Sequence, residues 1–313
     1  MERPLLALRG AVRQAVAFSV VTLLALCLCM PGSASAAPNA ANKAALAAEA
    51  VLGINNGLLY GNQMEVQSIG APFAELLGKA TGQKMIWDGS FDAKSAQTGS
   101  GSFQFAFIKP PNQTALLLAK GWKLVAVAKD SIGFGTDLVA LPCPGKPGEI
   151  ALGGQSLAVL GLTKQVPATC VPIAQVWTSP SAVMLSVENS LVEHVGKKMW
   201  KEHNAHAAPI QAQVKSQDAV VGLMEQMHTA VIGAVTPVFS KQLTARGGVL
   251  LQHQPMPFWA LIAAPNTPAE QIDAARAALL GASAERLNRT LKITGWEVGS
   301  PKAYADFLKW LKS

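Results

Sequence analysis

The sequence predicts an α/β protein with a largely parallel sheet, divided into two lobes. Short apolar runs alternate with helical patterns in units of about 30 residues, which is typical of strand–helix–strand units. A stretch rich in proline and glycine, residues 142–148, interrupts this alternation near the middle of the chain. With 313 residues, the chain is long enough for two lobes of ordinary domain size.

The first 36 residues have the pattern of a secretory signal peptide. Three arginines precede an apolar stretch, residues 15–30, and residues 34–36 match the small-residue cleavage pattern. We therefore expect cleavage after Ala36 and export to the periplasm. A lipoprotein anchored at Cys27 is the alternative, and it is less favoured because Leu26, the residue before the cysteine, is large. No later stretch has the ~20 apolar residues that a membrane span requires.

The charge of the chain favours a small anionic ligand over nucleic acid. The formal net charge is +7, and it falls to +5 without the signal peptide, which carries three arginines and one glutamate. The positive residues are dispersed, with no run of lysines and arginines, and nucleic-acid binding is therefore not expected. A mildly basic exported protein is well suited to anionic small molecules.

Two cysteines, Cys143 and Cys170, remain once the signal peptide is removed. In an oxidising compartment they are expected to form one disulfide, closing a loop of about 26 residues and contributing roughly 3 kcal/mol. Two buried free thiols are the alternative. Neither interpretation makes the cysteines catalytic, because no histidine lies in a local motif beside them.

The first part of the chain predicts strands at residues 51–54, 84–87, 105–108 and 123–128. Apolar residues at helical spacing, followed by Gly82, predict a helix over residues 68–81. Lys109 and two prolines end the third strand, since proline cannot donate to a sheet ladder. Polar residues from Asn112 then open a helix that ends before Gly121.

The middle of the chain is more ambiguous. A strand over residues 138–141 leads into the proline-rich boundary, and residues 149–180 receive no assignment. Apolar residues mostly on one face predict a long helix over residues 181–201. A second helix over residues 217–227 and a strand over residues 229–235 follow.

The last part of the chain predicts two strands, residues 247–251 and 258–263, and two helices. The first of these helices runs to residue 280, with Thr267 as N-cap, Pro268 at the first helical position and Glu270 completing a capping box. The second covers residues 300–311 and has Pro301 at its start.

Motifs of catalysis and of cofactor binding are absent from the sequence. It contains no G-x-S-x-G, S-x-x-K, H-E-x-x-H, Walker A or G-x-G-x-x-G pattern. His203 and His206 could share a metal ion, but they lack a second ligand pair and lie in a polar stretch typical of solvated surface. We therefore expect no metal, no cofactor and no enzymatic activity.

Six segments of the sequence carry a family resemblance. They are "LLGKATGQKMIW" followed by "FQFAFIKPPNQTALLLAKG" and "WKLVAVAKD", then "SQDAVVGLMEQMHTAVIGAV", "PMPFWALIAAPNTPAEQIDAARAALL" and "TGWEVGSPKAYADFLKWL". In order and spacing they resemble the type 2 periplasmic solute-binding proteins of ABC transporters, most of all the phosphate/phosphonate-binding branch. The nearest counterpart of that branch's Ser/Thr-rich turn at the start of a second-lobe helix is residues 178–181.

The resemblance implies a two-lobed fold with two hinge crossings. Lobe 1 would comprise residues 37–140 and the return segment 251–313, and lobe 2 would comprise residues 141–250. It also implies capture of phosphate, phosphite or a phosphonate, delivery to a membrane permease, and a monomeric protein. The alternatives are a sulfonate or another small anion as ligand, a ligand-sensing subunit, and a periplasmic enzyme on the same fold.

Polar residues at expected helix starts are the candidate ligand contacts, because a helix N-terminus presents unpaired N–H groups and partial positive charge. Ordinary helix capping by the same residue types is the alternative for each. Asn56 and Tyr60 could close the cleft, or could serve only in a turn, and Lys215 could add a point charge or be a solvated lysine. The three clusters are Asn112, Gln113 and Thr114; Thr178, Ser179 and Ser181; and Lys215, Ser216 and Gln217.

Overall fold

The computed structural model describes residues 49–57, 63–91, 103–154, 160–161, 166–204, 206–226, 228 and 230–313. The expected signal peptide, residues 1–36, and the candidate ligand contact Tyr60 lie outside the described residues.

A six-stranded sheet is built from both ends of the described chain, in the order β13-β4-β12-β3-β1-β2. The strands β1 to β4 run parallel, whereas β12 and β13 run antiparallel to their neighbours. Five apolar positions of β4 are buried, as expected of a strand covered on both faces. The strands are β1 (Ala50–Asn55), β2 (Met85–Asp88), β3 (Phe103–Ile108), β4 (Lys123–Lys129), β12 (Ala260–Ala263) and β13 (Gly295–Glu297).

A five-stranded sheet is formed by the middle of the chain, in the order β11-β5-β10-β8-β9. The strands β8, β9 and β10 are parallel to one another, and β5 runs antiparallel to both β10 and β11. A separate pair, β6 (Glu149–Leu152) and β7 (Thr169–Pro172), lies in the segment that received no assignment. The strands of the second sheet are β5 (Gly135–Ala140), β8 (Val183–Val187), β9 (Ile210–Val214), β10 (Ile232–Val235) and β11 (Val249–Pro255).

Helices cover the faces of both sheets, and their apolar sides form the cores. Phe73 and Leu77 of the first helix are fully buried in the core beside the first sheet. Val195 and Met199 of the third helix are fully buried in the core beside the second sheet. The helices are α1 (Gln63–Thr81), α2 (Pro111–Leu118), α3 (Leu191–His203), α4 (Gln217–Gln226), α5 (Pro237–Ala245), α6 (Ala269–Leu280), α7 (Glu285–Leu291) and α8 (Pro301–Lys312).

The chain passes between the two sheets at residues 130–134 and again at residues 256–259. The first passage leads from β4 to β5, and the second leads from β11 to β12. Both β5 and β11 belong to the second sheet. The first passage therefore comes before residue 140, where the first lobe boundary was expected. The second passage comes after residue 250, where the other boundary was expected. The proline-rich residues 142–148 instead follow β5 within the second half of the fold.

The helix predicted over residues 181–201 is wrong in its first part. Residues 183–187 form strand β8, and the helix α3 begins only at Leu191. All five residues of β8 are buried, and such a continuous apolar run has no period that distinguishes a central strand from a buried helix. Asn189, with φ of 55°, separates the two elements.

The capping box predicted at Thr267 is also wrong, because Thr267 Oγ1 donates to the carbonyl of Gln104 and no side chain caps α6. A variant of the capping box forms at α3 instead, in which the glutamate accepts from the residue before the N-cap. There, Glu193 N donates to Ser190 Oγ at 3.1 Å, and Glu193 Oε2 accepts from Asn189 N at 2.7 Å. The signal in the sequence is the Ser-x-x-Glu pattern of residues 190–193.

The last helix, α8, contacts both halves of the fold. Tyr304 is buried in the core of the first sheet, and its hydroxyl donates to the carbonyl of Phe258 at 2.6 Å. Phe307, one turn further on, is buried in the core of the second sheet. Trp310 Nε1 donates to Glu202 Oε1 of α3 at 2.6 Å. The end of the chain therefore connects the two sheets beside the passages.

The predicted disulfide between Cys143 and Cys170 is present, with a Cα–Cα distance of 5.8 Å. It joins the segment after β5 to β7, where Cys170 pairs in register with Ala151 of β6. No helix in the described part of the chain combines the length and the hydropathy that a bilayer crossing requires.

Replacing both Cys143 and Cys170 by serine is expected to lower the free energy of unfolding by about 3 kcal/mol, because the unfolded chain regains the entropy of an open loop. The measurement is urea-induced unfolding of the parent and the variant, with and without a reducing agent. The reductant should destabilise the parent and leave the double variant unchanged. Equal stability of the two oxidised proteins would contradict this prediction.

Candidate ligand-binding cleft

The topology brings the carboxyl ends of parallel strands in both sheets to face each other. The passages between the sheets are four or five residues long and leave from neighbouring strands, β4 with β12 and β5 with β11. The edge that carries the end of β4 also carries the ends of β1 and β3. The start of β5 shares its edge with the ends of β8, β9 and β10. Ligand clefts of α/β proteins lie at such edges.

The first wall of the cleft is the loop after β1, which packs against the start of α2. Asn55 Nδ2 donates to Gln113 Oε1 at 2.7 Å, and the carbonyl of Asn55 accepts from Lys109 N at 3.0 Å. Gly57 has φ of 75° and lies against Pro110, where an added Cβ would come within 2.7 Å of the ring. Two segments 58 residues apart in sequence thereby form one surface.

The start of α2 carries unpartnered oxygen atoms. Its N-cap is Pro110, its first helical residue is Pro111, and no side chain caps it. Of the eight buried side-chain oxygens without a hydrogen-bond partner in the described residues, Asn112 Oδ1 and Thr114 Oγ1 lie at the start of α2, and Asn56 Oδ1 lies in the loop after β1. Thr114 is fully buried, and because helical side chains tilt toward the N-terminus, its hydroxyl lies over the first turn. Buried polar groups without partners are rare in folded proteins, and three of the eight belong to the segments that form this wall.

A partly buried ion pair lies between α1 and the residue after β3. Lys109 Nζ lies 2.8 Å from Glu65 Oε1 and 4.2 Å from the centre of the Trp259 ring, and Asn56 Nδ2 donates to Glu65 Oε2 at 3.1 Å. Burial lowers the pKa of Lys109, although its bond to Glu65 opposes this. Burial would raise the pKa of Glu65, but the donors Lys109 and Asn56 outweigh it, so that pKa lies below its usual value.

The second wall carries the third predicted cluster, at the end of β9. Lys215 forms an ion pair with Glu188, which follows β8. Ser216 Oγ accepts from Ala219 N at 3.1 Å and so caps α4. Gln217 Oε1 accepts from Thr236 N at 2.7 Å and from Thr236 Oγ1 at 3.1 Å, which ties the end of β10 to this cluster.

The start of α5 resembles the start of α2. Thr236 is its N-cap without a side-chain cap bond, and Pro237 is its first helical residue. Each of these two helices therefore follows a strand directly, begins with proline and has no side-chain cap at its N-terminus. Residues 236–237 were not among the predicted site residues, although the strand–Thr-Pro–helix pattern could have indicated them.

The start of α3 is filled by the protein itself. Glu193 is 2% exposed and accepts hydrogen bonds from Gln213 Nε2 at 2.8 Å and from Asn189 N at 2.7 Å, besides its ion pair with Lys197. Burial would raise the pKa of Glu193, but these donors lower it below the usual value. This N-terminus has its own carboxylate and offers no anion site.

The predicted cluster of Thr178, Ser179 and Ser181 does not open a helix. Thr178 ends a 3-10 helix, Ile173–Thr178, and Ser181 precedes β8. The cluster therefore lies at the amino-terminal end of β8, opposite the edge that carries Glu188 and Lys215. Strand β8 separates this cluster from α3. The sequence did not predict this strand because all five of its residues are buried and lack a period of two.

The residue types of a hydrolytic triad also occur together at the second sheet, as Ser240, Asp137 and His253. Their hydrogen bonds differ from those of a catalytic triad. His253 Nδ1 lies 2.5 Å from Asp137 Oδ1, and the hydroxyl of Ser240 also donates to Asp137. Both partners bond to the buried carboxylate, so this serine is not bonded to the histidine that would activate it. The cluster joins β5, β11 and α5.

A cavity of about 420 Å³ lies on the β13 side of the passages between the sheets. None of its lining residues belongs to the loop after β1 or to α2, but its lining includes the end of β4 and part of both passages, so it adjoins the same edge of the first sheet. Its lining includes Lys129, Asp130, Glu297 and Tyr304.

Of the predicted contacts, Asn56, Asn112, Gln113 and Thr114 meet on the first wall, and Lys215, Ser216 and Gln217 lie on the second. The residues that sequence reasoning missed are mostly partners from distant segments. Lys109 is separated from Glu65 by 44 residues, and no local pattern indicates their pairing. The missed residues at these edges are Asn55, Glu65, Lys109, Glu188, Thr236 and Trp259.

Solved structures of low sequence identity share this fold. XAC2383 from Xanthomonas citri, bound to chloride, matches with a TM-score of 0.59 at 13% identity, over 84% of this chain and 97% of that one. PhnD1 from Prochlorococcus marinus, in complex with methylphosphonate, matches with a TM-score of 0.55 at 11% identity, over 84% and 97%. A TctC solute-binding protein from Polaromonas gives 0.51 at 12%, over 84% and 94%.

These neighbours, one of which is named as a solute-binding protein, share the fold of this chain, so the two-lobed α/β fold predicted from the sequence is confirmed. No family model matches the sequence, and no curated protein matches it.

Replacing Glu193 by glutamine is expected to lower the free energy of unfolding by about 1–3 kcal/mol at neutral pH, because Lys197, Gln213 and the amide of Asn189 lose the charged acceptor that this buried side chain provides. Since the pKa of Glu193 is lowered by folding, its stabilisation is present above the pKa of the unfolded chain and is lost as pH falls through the folded value.

The measurement is urea unfolding at neutral pH and across the acid range. The variant should lose stability at neutral pH and show a shallower fall on acidification than the parent. Glu285→Gln, in an exposed pair with Arg289, is the matched control and should change stability by less than about 1 kcal/mol. An equal effect of the two substitutions would contradict the prediction.

Proposed function

We propose that this chain, which has the fold of a type 2 periplasmic solute-binding protein, is the substrate-binding protein of an ABC importer. Its ligand is a small oxyanion, namely phosphate, phosphite or a phosphonate, held between the two lobes. The observation that carries this proposal is the uncapped start of α2, where Thr114 Oγ1 and Asn112 Oδ1 are buried without a hydrogen-bond partner. The methylphosphonate named for PhnD1 is in keeping with this ligand class.

The ligand is held by the starts of α2 and α5. Both N-termini lack a side-chain cap, and each follows a strand that ends at the cleft. Backbone N–H groups and the positive end of each helix attract an oxyanion, and Thr114 Oγ1 can donate to it from the first wall. The pair of Lys109 with Glu65 adjoins the start of α2, while Gln217 and Lys215 border the start of α5.

Lobe 1 contains the first sheet, lobe 2 contains the second, and residues 130–134 and 256–259 are the hinge. The ligand contacts both walls only when they approach, so it binds the closed form better and shifts the population toward it. The closed monomer then delivers its ligand to a membrane permease. Removal of residues 1–36 during export places the protein in the periplasm.

Replacing Thr114 by valine tests this proposal. In the parent, a ligand such as methylphosphonate, phosphate or phosphite at 100 times its Kd should add about 2.7 kcal/mol of stability, observed as a rise in Tm. The variant should lose most of this rise, because the hydroxyl that donates to the oxyanion is gone. Without ligand its Tm should be unchanged or higher, since a buried unpartnered hydroxyl costs stability.

Thr178→Val is the matched control, because this threonine lies at the opposite edge of the second sheet. It should retain the full ligand-induced shift. If none of the three oxyanions raises Tm in the parent, or if Thr114→Val retains the shift of Thr178→Val, the proposed site is wrong.

A further inference from the structure

Three side chains that can bind a metal ion meet at the disulfide, away from the ligand cleft. The Sγ atoms of Cys143 and Cys170 and a carboxylate oxygen of Glu149 all lie within 4.8 Å of one another. The group follows the carboxyl end of β5, whereas the start of β5 lies at the cleft. It therefore lies beyond the opposite end of this strand, and an inference about it does not depend on the proposed function.

Backbone pairing holds these three side chains together independently of the sulfur–sulfur bond. Cys143 N donates to the carbonyl of Glu149 at 2.8 Å, and Lys146 N closes the turn between them by donating to the carbonyl of Cys143 at 3.1 Å. Across the β6–β7 pair, Cys170 lies opposite Ala151, so Glu149, two residues earlier on β6, is its diagonal neighbour on the same face. Reduction of the disulfide would leave these backbone contacts in place.

The carboxylate of Glu149 is poorly satisfied beside an intact disulfide. Its Oε2 atom is buried and has no hydrogen-bond partner among the described residues, and the exposed cation paired with it, Lys146, lies 3.5 Å away. A disulfide is uncharged and has no hydrogen to donate, so it cannot satisfy a carboxylate. A divalent cation bound by the two sulfurs would supply the positive charge that this oxygen lacks.

The ligand set suits a thiophilic divalent cation. Thiolates and carboxylates are ligands of Zn²⁺, which binds four ligands in tetrahedral geometry with the ligand atoms about 3.5–4 Å apart. The separations here, all within 4.8 Å, need only a small adjustment of the side chains once the sulfur–sulfur bond is broken. Cys170 and Glu149 are partly exposed, so water can complete the fourth position. Hard cations such as Mg²⁺ prefer oxygen ligands and are not expected to bind.

We propose that Cys143, Cys170 and Glu149 form a redox-gated site for Zn²⁺ or a similarly thiophilic divalent cation. While the disulfide is intact, both sulfurs are occupied and the site is closed. A dithiol reductant opens it: the sulfur–sulfur bond breaks, the two cysteines gain two electrons and two protons, and the dithiol becomes a disulfide. Zn²⁺ then displaces the two thiol protons into solvent and binds both thiolates and the carboxylate. This proposal departs from the absence of a metal expected from the sequence.

Spectroscopic titration with Cd²⁺, a thiophilic analogue of Zn²⁺ whose bonds to thiolates absorb in the ultraviolet, tests the proposal. The parent, reduced with a dithiol and then separated from it, should bind one Cd²⁺ per chain more than the double variant Cys143→Ser/Cys170→Ser and release about two protons. The oxidised parent should bind no more than the double variant. The Tm of the reduced parent should rise with Zn²⁺ but not with Mg²⁺.

Glu149→Gln separates the role of the carboxylate from that of the sulfurs. After reduction it should bind Cd²⁺ at least about tenfold more weakly than the parent, because an amide oxygen is an uncharged and weaker ligand. Glu285→Gln, in the exposed pair with Arg289, is the matched control and should keep the affinity of the parent. The circular-dichroism spectrum of each reduced protein should match that of the oxidised parent.

Equal numbers of bound ions in the reduced parent and the double variant would overturn the site. Equal affinities of Glu149→Gln and Glu285→Gln would overturn the role of the carboxylate, and an equal rise in Tm with Mg²⁺ and Zn²⁺ would overturn the class of cation. Loss of the native spectrum on reduction would overturn the premise that backbone pairing preserves the site. None of these results bears on oxyanion binding, which Thr114→Val tests separately.

Discussion

The structure depends above all on the two short passages between its sheets. Each leaves one sheet and enters the other between neighbouring strands, β4 with β12 and β5 with β11. Because these passages are only four or five residues long, the sheets must present the edges from which they leave to each other. The parallel strands on either side then bring their carboxyl ends, and the helices that follow them, to a common cleft.

Within this frame, the helix starts at the cleft differ in how they are completed. Ser216 caps α4, and Glu193 provides α3 with a buried carboxylate, whereas α2 and α5 begin with proline and have no side-chain cap. A fold without a ligand would gain stability if Thr114 found a partner or were replaced by an apolar residue. Structural features that cost stability tend to persist where function needs them. Among the starts of α2, α3, α4 and α5, the start of α2 is therefore the strongest indication of a ligand site.

The prolines after β3 show what the sequence could predict. Pro110 and Pro111 cannot extend a strand ladder, and their restricted φ suits a first helical turn, so the end of β3 and the start of α2 follow from local chemistry. Residues 178–187 show the opposite case. A central parallel strand is apolar throughout and has no period of two, so the burial that makes β8 a strand is invisible until the neighbouring strands are known. The pairing of Lys109 with Glu65 likewise depends on tertiary packing, which brings α1 beside the end of β3.

The paired lysines also bear on how the lobes would close. If each wall carried an unpaired cation, the walls would repel each other, and an anion could draw them together by charge alone. Glu65 compensates the charge of Lys109, and Glu188 compensates that of Lys215. These lysines therefore contribute little repulsion between the walls and little attraction to an anion. Closure must then be driven by directional contacts that exist only when both helix starts reach the ligand, since a ligand shifts an equilibrium only by its differential affinity for the two states. A ligand too small to touch α2 and α5 together would bind one wall without closing the cleft.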